Sequence, residues 1–141
     1  MTIRTQISEL SIWVPLPPVE LSKNGRAQTL GKGGKHDLFQ EYKRQAISGI
    51  NRVLTSAHQP WEGPVDVTIR WHQWNRGHWP DHGAVIERCA CYIDAAEIET
   101  ERSTGAGLFV NDRQVRTQTV EYVKDHNEGV SITFTHDEEA T

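Results

Sequence analysis

WPDHGAVIERCACYIDAAEIETERSTGAGLFVNDRQ, residues 79–114, holds both the helical pattern and the acids that matter most in this chain. Val85, Ile86, Cys89, Tyr92, Ile93 and Ala96 fall on one helical stripe, and Glu87, Arg88, Asp94 and Glu97 lie opposite it. A Ser-Thr-Gly-Ala-Gly loop (103–107) follows, then the apolar run Leu108–Val110 and the pair Asn111-Asp112. If the chain doubles back through these glycines, Asp112 returns close to Asp81. Two acids from distant positions are a usual way to hold a divalent metal. The structural alternative makes Asp81 a helix cap and Asp112 part of a surface turn.

Working outward, Val65, Val67, Ile69 and Trp71 alternate with Asp66, Thr68, Arg70 and His72, the pattern of a half-buried strand. Between that strand and the helix lies WHQWNRGHWPDH (71–82), with three of the five tryptophans. His78, Asp81 and His82 are of a type that binds zinc or manganese, although no HExxH or Cys/His framework surrounds them. The tryptophans suit either stacking on unpaired bases or covering the end of a core. Further upstream, Leu38, Phe39, Tyr42, Ala46, Ile47, Ile50, Val53 and Leu54 predict a helix over Asp37–Leu54, opened by a capping box of Asp37 and Gln40. Lys43, Arg44 and Arg52 are expected on its exposed side.

The stretch Glu9–Pro15 alternates Leu10, Ile12 and Val14 with Ser11 and Trp13, a strand ended by prolines. Residues 21–36, LSKNGRAQTLGKGGKH, read as a mobile loop with four glycines and no acid. Its Lys23, Arg26, Lys32 and Lys35 suit contacts to a phosphate backbone, or simple solvation. GKGGK is not a phosphate-binding P-loop. Downstream, Val115–Lys124 and the alternating Val130, Ile132 and Phe134 flank DHNEG, which predicts a hairpin. Together these elements give an α+β fold, a small mixed β-sheet with two main helices in the order β-α-β-α-β-β. Residues 1–136 are read as one domain and 137–141 as a disordered acidic tail.

With 36% apolar and 24% charged residues and no apolar run near the roughly 20 residues of a membrane span, the sequence predicts a protein without a membrane segment. The first residues lack the apolar core of a secretory signal, so a cytoplasmic location is expected. Cys89 and Cys91, two apart on a predicted helix, point to different sides and read as small structural side chains. Residues 1–60 carry eight Lys and Arg against four Asp and Glu, while residues 61–141 carry seven against fifteen. A basic region for phosphate beside an acidic region for metal gives this asymmetry, and so does chance segregation.

The chain resembles the RusA-type endodeoxyribonucleases, small Holliday junction resolvases of phages and bacteria, over most of its length. WVPLPPVELSKNGR resembles their opening strand and basic loop, and GPVDVTIRWHQW resembles the strand leading to their active site. GLFVNDRQV, residues 107–115, is similar to their G-hydrophobic-hydrophobic-x-D-D-x-x-V segment, whose second, catalytic Asp falls on Asp112. Their Asp-x-Asp-Asn motif, followed by a lysine and an Asp-Gly or Asp-Ala pair, can be set on this chain with Asp94-Ala95 as the last pair. The first Asp then falls on Asp81, but the second Asp, the Asn and the lysine fall on Gly83, Ala84 and Ala90, and Asn111 replaces the first of the paired acids.

The resemblance implies a Mg2+-dependent nuclease (Mn2+ also serving) that cuts branched DNA as a homodimer in recombination or repair, with Asp81 and Asp112 as catalytic metal ligands. Glu87, one helical turn beyond Gly83, is the expected substitute for the missing ligand. Arg88, Arg113 or the basic loop stand as substitutes for the lysine. The lost positions also imply the alternative, a RusA-like protein that binds branched DNA without cutting it.

Overall fold

The computed structural model describes residues 7–22 and 27–137, with the side chains of 27–32 outside that description. Four strands, β1 (Glu9–Val14), β2 (Val65–His72), β3 (Val115–Val123) and β4 (Gly129–His136), form one mixed sheet in the order β1-β4-β2-β3. The helices are α1 (Ala27–Asn51), α2 (His82–Arg88) and α3 (Ala90–Asp94). The architecture is α+β, as the patterning predicts.

Alternation explains the sheet. Leu10, Phe134 and Val67 lie side by side in register, as do Ile12, Ile132 and Ile69, and then Val14, Val130 and Trp71. All nine are buried, so three apolar rows cross the sheet on one face. Each such side chain removed from water contributes about 1.5–3 kcal/mol. α1 packs on β1 and α3, while α2 lies along β3. The other face is polar, with a hydroxyl contact between Ser11 and Thr133 at 2.8 Å and an ion pair between Arg70 and Glu121 at 2.8 Å.

Three expectations about the fold are corrected. First, α1 begins at Ala27, so residues 27–36 are helical and not a loop. Glycine costs a helix interior about 1 kcal/mol, but no proline interrupts the segment, and a helix already packed from Phe39 onward gains a hydrogen bond for each residue added. Asp37 is therefore an exposed mid-helix residue and not a cap. The helix also ends at Asn51, three residues short of Leu54. Second, the predicted helix across residues 85–96 is broken at Cys89, where φ −91° and ψ 1° leave the helical region. Side chains on both flanks are tied to the proline-rich stretch: Arg88 donates to the Pro17 carbonyl at 2.6 and 3.0 Å, and the Tyr92 hydroxyl donates to that of Pro15 at 2.6 Å.

Third, β3 and β4 are not a hairpin. β2 lies between them, parallel to β3 and antiparallel to β4. Two strand spacings amount to about 9.6 Å, which the connecting residues 124–128 span easily. That connection passes over the end of β2, where His72 Nδ1 contacts Asp125 Oδ2 at 3.1 Å and the Trp74 amide donates to Glu128 Oε2 at 3.1 Å.

Cys89 and Cys91 are both free and fully buried in the core. Burial pushes the Cys89 thiol far up, and the Cys91 thiol up to about 12. Asp137 is held by its amide on the Pro64 carbonyl and by an ion pair with Arg116, and residues 138–141 lie outside the described ones. Among the described residues, no helix is long and apolar enough to cross a membrane.

Candidate functional site

The turn bearing Asp112 is built by its neighbours. Asn111 is the N-cap of a 3-10 turn over Asp112–Gln114, accepting from the Arg113 amide at 3.0 Å, while Gln114 Oε1 accepts from the amides of Val110 and Asn111. Gln114 Nε2 donates in turn to the carbonyls of Trp61 and Gly63 at 2.7 and 3.0 Å. Asn111 therefore serves as a capping residue, a task its amide oxygen performs as well as a carboxylate does. Asp112 is left exposed, with its own amide donating to Glu97 Oε1 at 2.9 Å.

That contact draws in two further groups. Glu97 and Asp94 share a side-chain hydrogen bond, and Asp94 Oδ2 pairs with Lys43 Nζ at 2.8 Å. Lys43 Nζ also donates to Ser103 Oγ at 2.6 Å. Asp94, Glu97 and Asp112 line an open cavity of about 360 Å³ with Phe39, Ile86, Ala90 and Gln118. Burial and then the hydrogen bond with Asp94 push the Glu97 carboxyl up to about 7. Burial also works against ionisation of Asp94, but the hydrogen bonds from Glu97 and Lys43 outweigh it and hold that carboxyl below its ordinary value. One proton on Glu97, facing an ionised Asp94, accounts for both directions.

Lys43 is a correction to the sequence reading. It is completely buried and not on the exposed side of α1. Its position was readable, because 39, 43, 46 and 50 share one helix stripe with Phe39, Ala46 and Ile50. Glu97, one turn beyond Asp94, was likewise overlooked as a partner for Asp112.

Asp81 lies elsewhere. It caps α2, accepting from the Ala84 amide at 2.7 Å, next to Tyr122, whose hydroxyl donates to the Pro80 carbonyl at 2.6 Å. Asp112 precedes Val115 at the start of β3, and the strand rise from Val115 to Tyr122 amounts to roughly 23 Å. Asp81 and Asp112 thus stand at opposite ends of the α2–α3 segment. Glu87 is exposed on α2, outside the residues lining the cavity. Asp81, Glu87 and Asp112 consequently do not fit around one Mg2+ within a subunit, whose bonds to oxygen are only about 2.1 Å long. Among the described residues, no group of three or more His, Cys, Asp or Glu is placed to hold a metal ion, which also applies to His78, Asp81 and His82.

Of the expected phosphate contacts, Lys35 reaches back to the Ser22 carbonyl at 3.4 Å. Lys23 and Arg26, and the Lys32 side chain, lie outside the described residues. A second open cavity of about 530 Å³ is lined by Arg44 and Glu41 of α1, by Arg52 just past the end of that helix, and by the exposed Trp13 of β1. Arg88, a candidate substitute for the missing lysine, is instead engaged by Pro17 and stacked 4.7 Å over Trp71. Arg113 is exposed beside Asp112. Of the three tryptophans in residues 71–82, Trp71 is core, Trp79 stacks on Tyr122, and Trp74 is exposed with His126 stacked on it at 3.5 Å.

A scan against protein-family models found no match to this chain, and neither did a search of curated proteins.

Proposed function

We propose that this chain is a RusA-like protein that binds branched DNA without cutting it. The observation that carries this choice over the nuclease is the separation of Asp81 from Asp112, which leaves a single subunit without the paired ligands on which hydrolysis by the related enzymes depends. The resemblance over residues 107–115 and the opening strand supplies the DNA. The excess of Lys and Arg in residues 1–60, and the arginine-lined groove beside Trp13, are consistent with contacts to phosphates and bases.

A second reading keeps the Mg2+-dependent junction endonuclease, because Asp81 and Asp112 are both exposed and open to a partner subunit. It requires a homodimer in which Asp81 of one copy meets Asp112 of the other. Mg2+ bound there would activate water and offset charge on the phosphorane.

A labelled four-way junction and a linear duplex of equal length separate the two readings. Selective retention of the junction in EDTA, without cuts in Mg2+ or Mn2+, supports the binding protein. Paired symmetrical cuts that vanish in both Asp81→Asn and Asp112→Asn establish the endonuclease. Equal affinity for junction and duplex overturns junction selectivity altogether.

A further inference from the structure

We infer that Trp13, with Arg44 and Arg52, forms a stacking site for an unpaired stretch of DNA, so that the chain grips single strand in preference to duplex. This rests on the reading of the chain as a DNA-binding protein and names the part of the DNA that it holds.

Two tryptophans are exposed to the same degree, Trp13 at 47% and Trp74 at 45%. Their rings differ in what covers them. Trp74 has His126 stacked on it, with 3.5 Å between centroids, and the Lys124 ammonium 4.5 Å from its centroid, so its π-surface is already in use. Trp13 meets His72 at 4.9 Å and 67°, an edge contact, and rests on Gly129, where a Cβ would come within 2.4 Å of Cζ2 and 2.7 Å of Cε2. Gly129 and His72 are paired residues of β4 and β2, so the sheet itself holds the ring in place. No stacked ring covers the rest of Trp13 among the described residues. A fixed aromatic ring with a free side stacks on any base, provided that the base is out of the duplex.

The groove beside the ring supplies charge. Arg44 and Arg52 are eight residues apart, and the Arg52 amide still donates to the Ser48 carbonyl at 3.2 Å, so helical spacing sets them about 12 Å apart along the axis. That spacing suits separate phosphates of one strand. Arg70, Arg88 and Arg116 are held by Glu121, Pro17 and Asp66, whereas Arg44 and Arg52 form no ion pair among the described residues. Glu41 is the acid of the lining, and the two arginines outnumber it.

The test is the anisotropy of a labelled oligothymidylate of about 15 nucleotides with the full chain, over a salt series, beside a four-way junction. Wild type is expected to bind the oligonucleotide, and Trp13→Ala to bind it about tenfold more weakly with the same salt slope. Arg44→Ala combined with Arg52→Ala should lower that slope by about 1.4. Trp74→Ala should change neither. A folded Trp13→Ala with wild-type affinity would overturn the inference, as would an equal loss in Trp74→Ala. If Trp13→Ala does not fold, the arginine pair still decides, since an unchanged slope overturns the site. Displacement of the oligonucleotide by polyglutamate as readily as by unlabelled oligothymidylate overturns it in favour of an acidic-peptide site. Retention of the junction without the oligonucleotide sinks this inference alone, and retention of neither sinks the DNA reading with it.

Discussion

Replacing Glu97 by glutamine should change how the stability of this protein depends on pH. Glutamine keeps the acceptor for the Asp112 amide and can donate to Asp94, but it cannot titrate. In the folded chain the Glu97 carboxyl is moved from 4.5 to about 7, so between these values the native state holds a proton that the unfolded state has released. The stability arising from Glu97 is therefore fully present below pH 4.5 and is lost as pH rises through 7. A shift of that size is worth about 3.5 kcal/mol at about 1.4 kcal/mol per unit. Solvent around this partly exposed group reduces the figure to about 1.5 kcal/mol. Urea unfolding followed by the fluorescence of buried Trp61 and Trp71, at steps from pH 4.5 to 8, measures it. Because other groups titrate in the same range, the informative quantity is wild-type stability minus that of Glu97→Gln, which should fall by about 1.5 kcal/mol across the window. A difference that stays level, or that grows with pH, would refute the proton-sharing arrangement of Asp94 and Glu97.

Further expectations are more local. Gly105→Ala should destabilise the protein by about 1–3 kcal/mol or more, because a Cβ there would lie 2.0 Å from the Glu97 carbonyl oxygen; thermal unfolding checks it. Ile132→Ala, in the middle apolar row of the sheet, should cost about 2–5 kcal/mol in the same assay, since Ile132 is fully buried between Ile12 and Ile69. Cys89 and Cys91 should resist a thiol reagent at pH 8 until the chain unfolds, when both should react together, because burial keeps the two thiols protonated.

What the residues revealed in advance follows from how local each feature is. β1 and β2 were readable because strict alternation abuts a proline, Pro15 after β1 and Pro64 before β2, and both strands hold their predicted sides. The start of α1 was hidden because glycine signals a loop, whereas a helix extended from a packed segment can absorb it. The order of β3 and β4 was out of reach for another reason. DHNEG shows that the chain reverses there, but a reversal does not state whether another strand fills the gap. Asp112 was found through the motif around it, and its real companions were missed because residue type alone outweighed position. Lys43 reads as surface by its charge although it sits on the apolar stripe of α1. Asp81 and Asp112 were expected to meet, but the α2–α3 segment carries the chain the length of β3 before the return through the glycines, and so sets the two acids apart.

The place of β4 has a consequence for how the chain reaches this state. Among the described residues, β1 has β4 as its sole hydrogen-bonded neighbour, and Leu10 finds its partner only at Phe134. The first strand must therefore wait, its Leu10, Ile12 and Val14 uncovered on one edge, until nearly every later element has been made. Long-range pairing of this kind slows folding and leaves an apolar strand open to wrong partners in the meantime. β4 acts as the closing wedge between β1 and β2, and assembly of the three apolar rows is then a concerted event that waits on it.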